Sequence, residues 1–239
     1  MLCALVHGLR GWLTITLLFP RWPQQRREAT VQAWSRRMLR ILGIPLQVQG
    51  RPAAQGPVLL VANHLSWLDI LVLHAAQHCR FVSKSDVKHW PLIGTLATGG
   101  GTLYIEREKR RDAMRVVHHM VESLKAGEVV AVFPEGTTGD GRALLPFHGN
   151  LIQAAISADA PVQPVALRFV DSASGQDSAA PLYLGDDTLV ASLWRTLAGS
   201  PFVAHVRFGE LQHAEGRDRR RWAHDLRQAV DALRSSLKP

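Results

Sequence analysis

Val58-Leu59-Leu60-Val61-Ala62 is an unbroken apolar run between Gly56-Pro57 and Asn63-His64. It is short and reads as a buried strand. Val129 to Phe133 is a second run of this kind. Around the two runs the pattern alternates. Ile70 to Ala76 reads as a helix, and Arg80 to Ser83 and Thr102 to Ile105 read as strands. Asp112 to Lys125 is a helix with Ala113, Val117, Met120, Val121 and Leu124 inward and Gly127 as its stop. Residues 150 to 158 are helical, and Val162 to Val170 is a strand interrupted by Pro164. Such alternation predicts an α/β domain with a largely parallel central sheet flanked by helices. Asp171 to Ala180 is small and polar, a loop within the domain. Residues 188 to 198 and 217 to 237 read as helices, the last with Trp222, Leu226, Ala229, Val230, Leu233 and Leu237 as a core-facing stripe. The chain of 239 residues suffices for one such domain, placed at residues 46 to 239.

Residues 1 to 45 differ in character. Leu2, Leu5, Leu9, Leu13 and Leu17 share one side of a helical wheel, but His7 and Arg10 interrupt the apolar segment and Pro20 stops it. It has neither the uninterrupted length of a span nor the basic start and cleavage site of a signal peptide. A helix lying in the membrane interface fits best. Residues 24 to 42 follow as an amphipathic helix, with Val31, Trp34, Met38, Ile41 and Leu42 on one side and Arg26, Arg36, Arg37 and Arg40 on the other. It either packs on the core with solvated arginines or completes a membrane anchor; a basic helix directly after an apolar one favours the anchor. The net charge of +8 favours an anionic partner. Basic residues also cluster at Arg217, Arg219, Arg220 and Arg221, without any nucleic-acid-binding signature, so an anionic membrane surface is expected and nucleic acid is not. Cys3 and Cys79 make neither a disulfide framework nor a zinc site, so no metal is expected and a reducing, cytoplasmic compartment fits.

The chemistry-bearing residues begin where the first buried strand ends. His64 and Asp69 are five apart, about 140° on a continuous helix, so they could not meet there. They can meet if His64 ends the strand and Asp69 points back from the first turn of the next helix. Asp69 would then hold one imidazole nitrogen and leave the other as a general base. Alternatively Asp69 or Ser66 is a helix cap and His64 an ordinary loop residue. No nucleophile elbow or catalytic cysteine context is present, which suits direct attack of a substrate hydroxyl, deprotonated by His64, on a thioester. Phe133-Pro134-Glu135-Gly136-Thr137 follows the second buried strand. Its glycine and those after it can let backbone N–H groups converge on an anion, or simply make a turn. Arg107 ends a strand and could pair bidentately with phosphate, or be a solvated charge.

Together these strings resemble the glycerolipid acyltransferase family, which includes bacterial 1-acylglycerol-3-phosphate acyltransferases. The likeness covers roughly residues 58 to 170. Asn63-His64 through Asp69 is similar to the catalytic His-x4-Asp block. Gly101 through Arg107 is similar to the block whose arginine binds acceptor phosphate. Phe133 through Thr137 is similar to the phosphate-loop block, and Val162-Gln163-Pro164-Val165 to a Val-Pro strand near the acyl site. The resemblance implies His64 and Asp69 as catalytic residues, and Lys84, Arg107, Glu135, Gly136 and Thr137 as substrate-binding residues. It implies a lysolipid acceptor, foremost 1-acylglycerol 3-phosphate, and an acyl-CoA or acyl carrier protein thioester as co-substrate, with no cofactor. It places the chain on the cytoplasmic face of the inner membrane. Two details depart from the family pattern: Tyr104-Ile105-Glu106-Arg107 in the second block and Gln163 in the fourth. Thr138-Gly139-Asp140-Gly141 also resembles the loop of lyso-ornithine-lipid acyltransferases.

Overall fold

The computed structural model describes residues 2–105 and 110–237. Seven strands form one sheet: β1 (Leu46–Gln49), β2 (Val58–Ala62), β3 (Arg80–Lys84), β4 (Leu103–Ile105), β5 (Val129–Val132), β6 (Val162–Asp171) and β7 (Phe202–Phe208). Their order is β1-β7-β6-β2-β5-β3-β4, and every neighbouring pair is parallel except β6 with β7. The sheet is therefore largely parallel, as its sequence pattern predicts. β2 lies at its centre, with Leu60 in register with Ala131 on one side and Gln163 on the other.

All five β2 residues are buried, because helices cover both faces. Val58, Leu60 and Ala62 point to one face, where α2 (Gln24–Ile41) and α3 (Leu68–Ala76) contribute Leu39, Leu68, Val72 and Leu73. Leu59 and Val61 point to the other, against α5 (Arg110–Lys125), α6 (Gly149–Ala158) and α8 (Arg219–Ser236), through Met120, Leu124, Ile152, Trp222 and Leu226. Truncating such a fully buried leucine costs about 2–5 kcal/mol. In α5 the buried line is Val116, Met120 and Leu124, with Val117 and Val121 beside it, one position round from the expected stripe.

Pro164 does not interrupt β6. Its carbonyl accepts the Gly209 N–H at 2.8 Å just past the end of β7, so the N–H that proline lacks would face that same flank rather than β2. The Gln163 side chain is a staple for main chain. It donates to the carbonyls of Arg51 and Gly209 at 2.9 and 2.8 Å and accepts from Ala53 N–H at 3.1 Å.

α1 (Leu2–Leu17) ends at a 3₁₀ turn, Phe19–Arg21, started by Pro20. Its buried side is small: His7, Gly8 and Gly11. His7 stacks on Trp34 with ring centroids 5.0 Å apart, and Trp34 Nε1 donates to the His7 carbonyl at 3.1 Å. A Cβ on Gly11 would lie 2.6 Å from Trp34 Nε1, so the close approach requires glycine. Leu2, Leu5, Leu9, Leu13 and Leu17 are all exposed on the other side. α2 packs on α3. Arg36, placed on the solvent side by its wheel position, reaches the Ala75 carbonyl at 2.7 Å, and Gln32 reaches that of Ala76 at 2.9 Å; these are carbonyls that the end of α3 leaves unpaired. Among the described residues no helix is long and apolar enough to cross a membrane.

Candidate active site

β2 ends at Ala62, and the side chain of Asn63 continues its pairing. The Asn63 amide donates to the Leu167 carbonyl at 3.0 Å, and its oxygen accepts the Leu167 N–H at 2.8 Å. The chain is thus held straight until His64. α3 begins four residues later, and Asp69 in its first turn points back. One oxygen, Oδ2, accepts from His64 Nδ1 at 2.7 Å, from Leu65 N–H at 2.7 Å and from Ser66 N–H at 2.9 Å. Asp69 therefore orients the imidazole and ties down the turn before α3 with the same atom. The contact on an N–H of α3 itself comes from Ser66, whose Oγ accepts from Leu68 at 3.2 Å. Asp69 is fully buried, and its Oδ1 has no hydrogen-bond partner.

With Nδ1 committed to Asp69 as donor, the tautomer assigned by these partners leaves His64 Nε2 with its lone pair outward. Nε2 has no partner among the described residues, and the side chain is 21% exposed. The ring stacks on Phe133 at 4.0 Å and 9°, and Phe133 stacks on Phe81 at 5.8 Å. His74, further along this aromatic row, is held neutral: burial first, then His78, pushes its pKa down to about 3.

Glu135 is buried and gives both oxygens to main chain. Oε1 accepts the His64 N–H and Oε2 the Leu145 N–H, each at 2.8 Å. Burial pushes its pKa up, partly opposed by these two hydrogen bonds. Gly136 closes a turn with its N–H on the Phe133 carbonyl at 3.1 Å, in the left-handed region at φ 73°. The Gly139 N–H donates to the His64 carbonyl at 2.8 Å. Thr137 is exposed, whereas Thr138 Oγ1 donates to the Tyr183 carbonyl. The loop is thus fastened around His64, and the N–H groups of Gly136 and Gly139 are engaged by main-chain carbonyls.

Lys84 is exposed at the end of β3, in register with Ile105 where β4 ends. Arg107 and Glu106 lie outside the described residues. A cavity of about 350 Å³, lined by Phe19, Arg27, Glu28, His78, Arg80 and Glu128 among others, lies at the N-terminal ends of β3 and β5. His64 follows the opposite, C-terminal end of β2, so this cavity is not the reaction site. Among the described residues no group of three or more His, Cys, Asp or Glu could hold a metal ion.

Several supporting residues are not marked in the sequence. Trp67 donates its indole N–H to Ser192 Oγ at 3.1 Å, and the Tyr183 N–H donates to the Leu65 carbonyl at 3.1 Å. From α8, Arg227 donates to the carbonyls of Leu144 and Leu145 at 2.6 and 3.1 Å, and Arg234 to those of Gly141 and Arg142. Only Asn63 carries a local signal, as a polar residue directly after a buried run.

A family model described as Acyltransferase matches residues 45–168. The lyso-ornithine lipid O-acyltransferase of Pseudomonas aeruginosa is 36% identical over 96% of this chain and 88% of its own length. The 1-acyl-sn-glycerol-3-phosphate acyltransferase of Neisseria meningitidis is 37% identical over 88% of this chain and 82% of its own. The crystal structure of the 1-acyl-sn-glycerophosphate acyltransferase from Thermotoga maritima shares the fold, with a TM-score of 0.66 and 19% identity over 98% of this chain and 97% of that one. The matched family segment, which covers half of the chain, and the identity to these relatives make the chain a member of the acyltransferase family.

Proposed function

We propose that His64 is the general base for transfer of a fatty acyl chain from acyl-CoA or acyl carrier protein to the free hydroxyl of 1-acylglycerol 3-phosphate. The observation that carries this reading is the 2.7 Å contact of His64 Nδ1 with Asp69, with Nε2 unpartnered among the described residues. Nε2 takes the hydroxyl proton as the oxygen attacks the thioester carbonyl, and Asp69 supports the imidazolium that forms. When the C–S bond breaks, the imidazolium returns the proton to the departing thiolate. Phosphatidic acid and free thiol leave, and His64 is neutral again. No metal or redox cofactor is required by these steps.

Acceptor phosphate is assigned to Arg107 and Lys84, with Thr137 as a neighbouring donor and Glu135 and Gly136 shaping the turn that presents it. A second acceptor, lyso-ornithine lipid, is favoured by the likeness of Thr138 to Gly141 to the loop of enzymes using it, and by the similarity to the Pseudomonas protein. A lipid-binding protein without chemistry would have no need of an oriented imidazole. Residues 1–45 are read as the membrane-associating unit of a chain on the cytoplasmic face of the inner membrane, because the leucine side of α1 is exposed. The test is purified protein with a panel of lysolipids and both thioester donors, products read by mass spectrometry. Phosphatidic acid formed only from lysophosphatidic acid supports the first reading. Diacylated ornithine lipid alone supports the second, and no thioester consumption with any lysolipid sinks both.

A further inference from the structure

The helix α7 (Leu189–Ala198) has its polarity inverted. Its polar side chains are turned toward the protein. Ser192 is buried and receives the Trp67 indole N–H, and the Thr196 hydroxyl donates to the Ser192 carbonyl at 2.8 Å. Arg195, its one charged residue, folds back. Its terminal nitrogens meet the two Asp187 oxygens at 3.2 and 2.7 Å, and it also donates to the Leu182 carbonyl. The outward side carries Val190 and Trp194, one turn apart and 78% and 61% exposed, with Ala191 and Ala198 also exposed. Leu184, exposed as well, precedes the helix. An exposed apolar face on an element whose polar groups are all satisfied inward is an interaction surface rather than scattered surface apolarity.

Its position says what it meets. α7 is joined to the catalytic turn by the Trp67–Ser192 contact, and the loop before it by Tyr183 N–H on the Leu65 carbonyl and by Thr138 Oγ1 on the Tyr183 carbonyl. It therefore stands at the His64 end of the sheet, whereas α1 packs on α2 and α4 (Ile93–Gly99). The acceptor is a lysolipid, so its hydroxyl reaches His64 from a lipid surface. A tryptophan beside aliphatic residues, on a helix whose one charged residue is paired with Asp187, matches the headgroup–acyl boundary.

We propose that α7 is a second membrane-seating surface, distinct from α1, which inserts Val190 and Trp194 into the bilayer interface and sets the catalytic turn against the lipid. This rests on the lysolipid acyltransferase reading. The full-length V190D/W194D variant is compared with wild type on one lysolipid presented in two ways: in phosphatidylcholine–phosphatidylglycerol vesicles, and as a short-chain monomer in solution. On vesicles we expect a loss of about tenfold or more, because each side chain forgoes apolar transfer into the interface. On the monomer the rates should agree within about twofold, since neither residue touches the reacting groups. Brominated lipids in the vesicles should quench wild-type fluorescence more than that of Trp194→Phe. Equal vesicle activities, equal quenching, or loss on both acceptors by a folded variant each overturn the proposal. So does a wild-type dimer that the variant converts to monomer, which would make the face a contact between copies. Wild type inactive on either form would instead strike the acyl-transfer reading, while the quenching still reports on α7.

Discussion

Glu135→Gln separates a brace from a substrate contact. The carboxylate accepts a main-chain N–H at each end, from His64 and from Leu145, both at 2.8 Å. An amide of the same shape offers one oxygen and one NH₂, so in either orientation a donor faces a donor. One bond is lost and a donor is left unpaired at a site only 5% exposed. A hydrogen bond to a charged acceptor is worth about 1.5–3 kcal/mol, so the stability loss should be about 2–3 kcal/mol. If the His64 bond is lost, the base shifts directly; if the Leu145 bond is lost, the loop that frames the base loosens. A displacement on the order of 1 Å costs up to about 10²-fold in rate. We therefore expect kcat to fall between about tenfold and a hundredfold while the acceptor KM stays nearly constant. The pH dependence gives a second readout. Burial raises the Glu135 pKa, so between the ordinary and raised values the native chain holds more protons than the unfolded one. Stability from this group is thus full below that window and is lost as pH rises through it. Below the raised value, however, the proton occupies an oxygen that faces an N–H. Wild-type kcat should consequently drop on the acid side of the raised value, and that contribution should vanish in Glu135→Gln. Stopped assays across pH, with chemical denaturation for stability, measure both. Unchanged kcat, or a change confined to the acceptor KM, would refute the brace.

His64→Ala should lower acyl transfer by about 10²–10⁴-fold in a protein that still folds, as loss of a general base does; near-normal turnover rules out the mechanism. Arg107→Ala should impair use of lysophosphatidic acid mainly through KM, with only partial rescue by Arg107→Lys, because a point charge does not reproduce a bidentate fork. A zwitterionic lysolipid should depend on Arg107 less, and equal kinetics with lysophosphatidic acid would put lyso-ornithine lipid first. Replacing Leu5, Leu9 and Leu13 by glutamate should release the chain from vesicles in flotation, since all three face outward on α1. Undiminished flotation would place the attachment elsewhere.

The parts of the fold that were legible are those whose local pattern agrees with their burial. β2 is apolar at every position because both its faces are covered, and its sequence says so. Phe202 to Phe208, which becomes β7, gave no such signal. His205 and Arg207 break the apolar run, yet His205 is buried and the strand pairs on both sides. α4 is seven residues long and ends in glycine, too short for a helical period to register. At the site, the His64–Asp69 spacing called for a strand end followed by a backward-pointing acid, and that is the geometry found. The main-chain engagement of Glu135 was not legible. Its partners are 71 and 10 residues away, and a carboxylate on two N–H groups has the same one-letter code as one on a substrate.

The matched family segment stops at residue 168, but the support of the site does not. The peptide groups of residues 141 to 145 arch past Glu135, and their carbonyls are held by Arg227 and Arg234 from the last helix. Those arginines lie on the flank of α8 beside Leu226 and Val230, which are buried in the core. The same helix therefore fills one face of the sheet and fixes the loop whose Leu145 N–H engages Glu135. From there the connection runs to the His64 N–H, and from His64 to Asp69. Every link as far as His64 is a main-chain group held by a side chain, and the last joins two side chains, so the imidazole is set by hydrogen bonds that involve no substrate. If His64 is the base we propose, it is already oriented before a lipid arrives, and binding need not spend interaction energy on ordering it. That preorganisation accounts for why residues outside the four motif blocks, none of which needs to touch the acceptor, belong to the working site.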